Sequence, residues 1–138
     1  MLDRTDQSYS YGPLSVASNA LKLPNGMYLQ YPHLRYGSGE FLYDSGRNGI
    51  TRTHGPRLVE NIVQALARIV ITDQMLAIQN VPGISVVLTV HDEIIALGSD
   101  ENADETLATI MAIMKQPPAW CTELPLDAEG AYSKIYNK

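Results

Sequence analysis

Three consecutive polar residues, His91, Asp92 and Glu93, stand between the apolar run Val86-Val87-Leu88-Thr89-Val90 and a second run, Glu93-Ile94-Ile95-Ala96-Leu97, that begins with the last of them. Apolar runs this short, rich in β-branched residues, read as strands, so the triplet is predicted at the tight turn of a β-hairpin. Such a hairpin is a rigid platform that presents two carboxylates in one place. The chemistry open to them is binding of a hard cation: Mg²⁺ takes oxygen ligands in near-octahedral geometry and usually accepts one or two carboxylates from a protein. A solvated, purely structural turn has the same composition, because turns favour Asp. Residue types alone do not separate the two readings.

A second set lies upstream. Residues 57–78 contain no Pro or Gly, and Leu58, Ile62, Ala65, Ile69, Thr72 and Leu76 recur at spacings of three and four, which predicts a long helix. Val59, Val63, Leu66, Ala67 and Val70 are also apolar, so burial is expected around most of its circumference. Arg57, Asn61, Gln64 and Arg68 then form one narrow polar stripe. The stripe reads either as a substrate-facing row or as a satisfied seam between packed elements, its arginines paired with acids. His33 and His54 read as surface loop residues without a role, and Met111 and Met114 as core.

The elements that would position these residues are few. Leu21-Lys22-Leu23 and Met27-Tyr28-Leu29-Gln30-Tyr31 flank Pro24-Asn25-Gly26 and predict a hairpin; Glu40-Phe41-Leu42-Tyr43 predicts a third strand paired with it. A second, shorter helix is expected over 102–115, capped by Ser99 or Asp100, with Leu107, Ile110, Met111 and Met114 inward and Pro117-Pro118 as its stop. Leu124, Leu126 and Ala128 suggest one strand in the tail. Residues 1–19, rich in Ser, Tyr and Gly without period, read as a flexible arm that could lie on a partner. The expected fold is α+β, a small antiparallel sheet whose functional hairpin packs on the long helix beside a shorter one.

Composition narrows the function classes. At 138 residues and 45% hydrophobic, the chain predicts one compact domain with a single core. A net charge of −5 argues against a free-standing nucleic-acid binder, which usually carries a basic excess. The single Cys121 excludes an internal disulfide, and no Cys/His set has zinc spacing, so a reducing cytoplasm is the expected compartment. No signal-like start and no unbroken apolar run of membrane length is present, so a soluble protein without membrane partners is expected.

Read together, Gly55-Pro56-Arg57-Leu58-Val59-Glu60-Asn61-Ile62-Val63-Gln64-Ala65-Leu66-Ala67-Arg68 and Leu88-Thr89-Val90-His91-Asp92-Glu93 resemble the end of phage-type family A DNA polymerases. The resemblance takes in Leu23-Pro24-Asn25-Gly26 and Tyr31-Pro32 upstream, and Pro117-Pro118-Ala119-Trp120, Leu124-Pro125-Leu126 and Ala128-Glu129-Gly130 downstream. It covers residues 20–138 and implies a partial palm domain. It further implies two-Mg²⁺ nucleotidyl transfer, in which a primer 3′ hydroxyl attacks the α-phosphate of a dNTP. Asp92 is then a catalytic metal ligand, Glu93 an auxiliary carboxylate, His91 a primer-terminus contact and Gln64 a minor-groove contact; Asn61, Arg57 and Arg68 are further DNA-binding candidates.

The chain departs from that pattern. A second catalytic aspartate and a fingers helix with a lysine and an aromatic residue are expected upstream, and residues 1–50 resemble neither; Ile69 stands where an aspartate is usual. The expectation is one piece of a split polymerase, inactive alone and completed by a partner polypeptide that brings the remaining motifs, with primer-template DNA and dNTP joining the assembly in a host cytoplasm. A non-catalytic remnant or accessory interaction module is the alternative. A metal-dependent phosphohydrolase built on the His-Asp pair ranks last, since other His and Asp ligands are wanting.

Overall fold

The structure is a computed structural model that describes residues 9–136. Among the described residues the fold is α+β, with small antiparallel sheets and two α-helices. The chain divides between Ala67 and Arg68 into two compact units, where composition had predicted a single core.

In the first unit, β1 (Ser10–Tyr11), β2 (Leu14–Ala17), β3 (Ala20–Lys22) and β4 (Tyr28–Gln30) form a four-stranded antiparallel meander. Local turn chemistry dictates it. Gly12, with φ +55°, precedes Pro13 between β1 and β2, and Asn19, with φ +56°, closes the β2–β3 turn. The predicted β3–β4 hairpin is present: Gly26 N donates to Leu23 O at 2.9 Å, Asn25 Oδ1 accepts from Met27 N at 3.1 Å, and Gly26 takes φ +85°. Residues 10–17 thus pair as strands within the stretch expected to be an arm. Residues 1–8 of that stretch lie outside the described residues.

The third predicted strand does not join this hairpin. It is β6 (Glu40–Asp44), which pairs with β5 (Arg35–Gly37) and β7 (Ile50–Thr53) in a separate three-stranded sheet. The pairing follows from Ser38-Gly39, whose φ values of +55° and +82° close a two-residue β5–β6 turn, so that β6 finds its nearest partner locally.

Helix α1 (Gly55–Gln79) contributes its first half to this unit and its second half to the next. Its burial is narrower than the sequence predicts. Ile69, Ile71, Gln74 and Ile78 are buried, but Val59, Val63 and Leu76 each remain more than half exposed. Among the described residues α1 is also the one helix whose length and mean hydropathy of 1.2 would allow it to cross a bilayer, a property hidden from a search for unbroken apolar runs. Glu60, Arg68 and Asp73 stand along it, and charged residues are costly at bilayer depth.

In the second unit, β8 (Ser85–Val90) and β9 (Glu93–Leu97) form the predicted hairpin, and α2 (Ala103–Met114) follows a short 3₁₀ lead-in, Asp100–Asn102. Ser99 caps that lead-in, its Oγ accepting from Glu101 N at 3.3 Å. Gln74 is buried because its Nε2 donates to Met114 O at 2.7 Å, which satisfies a carbonyl at the end of α2. Leu107, Ile110, Met111 and Met114 are half-buried, as an inward face requires. The expected strand at 124–128 is absent. The tail is irregular and crosses α2, so that a Cβ added to Gly130 would lie 2.8 Å from Leu107 Cδ1.

Candidate functional site

The β8–β9 register runs from Ser85 opposite Leu97 to Val90 opposite Glu93. The turn is therefore the pair His91-Asp92 alone, and Glu93 is the first residue of β9. A β-bulge between Val86 and Leu88 leaves Val87 out of the pairing. Bulges twist a strand locally and re-aim the side chains beyond them, and this one lies within a few residues of the turn. The platform is tied down at its root: Gln79 Oε1 accepts from Val86 N at 2.9 Å, and Ile78 and Ile84 are buried at the connection.

His91 has φ +54°, a conformation few side-chain-bearing residues adopt, whereas Asp92 does not share it. A two-residue turn with positive φ only at its first position is one that glycine ordinarily fills. The side chains of His91, Asp92 and Glu93 are exposed and make no hydrogen bond or ion pair with another described residue. The turn is thus strained while its side chains are free, an arrangement that packing does not explain.

Asp92 and Glu93 offer the oxygen ligands a hard cation takes, but no group of three or more His, Cys, Asp or Glu side chains converges among the described residues. Among the described residues, Asp92 and Glu93 at this hairpin are fewer carboxylates than a two-metal site takes.

The stripe on α1 resolves into different environments. Asn61 Nδ2 donates to Tyr31 Oη at 3.3 Å; Tyr31 is buried and stacks edge-on against Tyr43, so Asn61 matches the seam reading. Gln64 does not. Its Nε2 donates to Glu60 Oε1 at 3.2 Å across one exposed helical turn. Arg57 and Arg68 are exposed and make no ion pair among the described residues, so the acid-pairing alternative does not account for them. Arg57, Glu60, Asn61 and Gln64 line an open concavity of about 500 Å³ together with His54. Sequence reading gave His54 no role; its carbonyl accepts from Leu58 N at 3.1 Å and starts the helix, and the Gly55-Pro56 pair was the available signal.

A second cluster escaped sequence reading because its members lie 11 residues apart on different elements. His33 Nδ1 lies 2.6 Å from Asp44 Oδ2, and Arg35 reaches both His33 O at 3.1 Å and Asp44 Oδ1 at 3.6 Å. The hydrogen bond from His33 holds the Asp44 carboxyl below its usual range, aided by the charges of His33 and Arg35 against some desolvation.

The chain is 37% identical over 128 residues to a DNA polymerase of Bacillus phage SP02, a match that covers 86% of this chain and 19% of that protein. The chain thus spans about a fifth of the length of the curated relative it matches. The remainder left outside the match is too short to reach α1 or the β8–β9 hairpin from either end, so both lie within it. No family model matches the chain, and no solved structure matches it.

Proposed function

We propose that this chain is part of the palm of a family A DNA polymerase and takes part in DNA-directed nucleotidyl transfer once the remaining motifs join it. The observation that carries the proposal is the likeness to a phage DNA polymerase across a stretch that includes the His91-Asp92-Glu93 hairpin and the Arg57–Arg68 stripe. Its support from physical chemistry is the turn itself, a strained backbone with unengaged carboxylates on an anchored β-hairpin.

In this reading Asp92 would hold Mg²⁺ together with acidic residues from outside the described stretch, with Glu93 as an auxiliary carboxylate, and the ion would supply stabilisation of charge that develops at the transferred phosphate. His91 positions the primer terminus. Gln64 donates to the minor-groove acceptors that recur in all four base pairs, and Arg57 and Arg68 meet phosphates. Asn61 is engaged with Tyr31 and would act by holding the stripe in place.

In a split arrangement, the motifs of the polymerase that lie outside this stretch would be carried on a partner polypeptide in the host cytoplasm. Val59 and Val63 on α1, and Val87 and Leu97 on the hairpin, are each more than half exposed, and an assembled palm would cover such residues. The same exposure suits the alternative, a non-catalytic remnant or accessory interaction module. A pull-down of the tagged chain from its native source separates the two. A bound polypeptide that carries a fingers lysine and another palm aspartate is the expected result. Capture of no such polypeptide would leave the accessory reading in its place.

A further inference from the structure

The register of the first sheet sorts its residues onto two faces. Ala17 lies opposite Ala20, Ala20 opposite Gln30, and Lys22 opposite Tyr28, so these five share one face. Val16, Leu21 and Leu29 share the other and are half-buried. The first face is open and has a floor of small residues. Ala17 and Ala20 leave a depression of about 460 Å³ walled by Tyr28, Gln30, Asn19 and His33.

The wall residues carry one kind of chemistry. Tyr28 is 48% exposed on a strand and offers an aromatic surface. The side-chain amides of Asn19 and Gln30 make no hydrogen bond with another described residue and offer both donors and acceptors. His33 turns Nδ1 to Asp44 at 2.6 Å, which orients the ring and leaves Nε2 to a ligand. Lys22 stands beside Tyr28 as an unpaired cation among the described residues.

Charge is also unevenly divided. The described part of the first unit carries Lys22, Arg35, Arg47, Arg52 and Arg57 against Glu40, Asp44 and Glu60, while most of the acidic residues lie in the second. The net −5 of the chain therefore does not describe this sheet.

We propose that the open face of the β1–β4 sheet binds single-stranded DNA, with one base stacked on Tyr28, base edges met by Asn19 and Gln30, and backbone phosphates met by Lys22 and His33. A sheet that offers an exposed aromatic ring beside a lysine is a platform on which unpaired bases stack without sequence readout. The choice of DNA rests on the polymerase reading. The site itself rests on the sheet.

The test is fluorescence anisotropy of a labelled oligothymidylate titrated with the whole chain at low salt. Tyr28→Ala is expected to weaken binding by roughly 5- to 100-fold, the range for loss of one stacked base. Tyr28→Phe should bind as the unaltered chain does, and Lys22→Gln should weaken binding and flatten its salt dependence by about one phosphate contact. Tyr11→Ala, on the opposite face, should change nothing, and circular dichroism verifies that each variant is folded. Absence of oligothymidylate binding by the folded chain, equal binding by Tyr28→Ala, or displacement by duplex DNA as readily as by single strands would each overturn the proposal. Primer extension by the assembled enzyme, if it persists in any of those cases, shows that only this site and not the polymerase reading has failed.

Discussion

Replacing His91 by glycine isolates the cost of the turn. The residue has φ +54° in a two-residue hairpin turn, and its exposed imidazole has no partner among the described residues. No packing or hydrogen bond is therefore lost on truncation. What changes is the backbone, where a side chain in the left-handed region costs about 1–2 kcal/mol and glycine bears no such penalty. Part of that gain is returned, because glycine adds freedom to the unfolded chain, so a net stabilisation of about 1 kcal/mol is expected. With a urea dependence of about 1–2 kcal/mol per molar for a unit of this size, the midpoint should rise by roughly 0.5–1 M. Far-ultraviolet circular dichroism in a urea series reads it directly. In the assembled enzyme the same substitution should lower primer extension, because the strained residue is the one proposed to hold the primer. A fall in the urea midpoint would refute the reasoning, since it would mean the imidazole makes structural contacts.

Other perturbations act on single contacts. Gly98→Ala would set a methyl 2.9 Å from Thr106 Cγ2, and a β-branched side chain in a helix turns aside with difficulty, so a loss of about 1–3 kcal/mol is expected in thermal unfolding. Gln74→Ala removes the donor to Met114 O and leaves a carbonyl at the end of α2 unmet; about 1–3 kcal/mol should be lost, with faster amide exchange at the end of α2. The Asp44 carboxyl, held below 3.8 by the His33 hydrogen bond, stabilises the first unit above the ordinary carboxylate value, and that contribution disappears as pH falls through the lower folded value. An acid titration followed by tyrosine fluorescence should lose this component in Asp44→Asn; an unaltered profile would mean that the ion pair contributes nothing.

What the sequence disclosed was governed by local rules. The β3–β4 hairpin arises from Pro24-Asn25-Gly26, α1 from an uninterrupted helical period, and β8–β9 from two apolar runs around a polar triplet, each decided by neighbours within a few residues. Sheet membership was not legible, because the β6 partner was decided by the Ser38-Gly39 turn, whose positive φ values a Tyr-Gly-Ser-Gly stretch only loosely suggests. The burial of α1 was overstated for a related reason. Apolar composition records what a helix is able to bury, not what it finds to pack against, and Val59, Val63 and Leu76 stay exposed. The tail strand failed because Pro125 interrupts the alternation and Gly130 lies against α2.

At the candidate site, the hairpin and its two carboxylates were readable from residue order, but the strain at His91 and the bulge at Val87 were not, since neither changes the apolar pattern. Within the stripe, burial distinguished residues that spacing had made equivalent. Asn61 meets Tyr31 in a seam, whereas Gln64 and the arginines face outward. The His33–Asp44 contact bridges positions whose proximity depends on the register of β5, β6 and β7, so no local pattern announced it.

The most direct measurement is primer extension by the chain combined with its captured partner, comparing the unaltered chain with Asp92→Ala. The account predicts that extension is abolished while the variant unfolds at the same urea concentration, because an exposed turn carboxylate without a partner among the described residues carries no packing. Extension at an unchanged rate by the folded variant would contradict the assignment of Asp92 to catalysis.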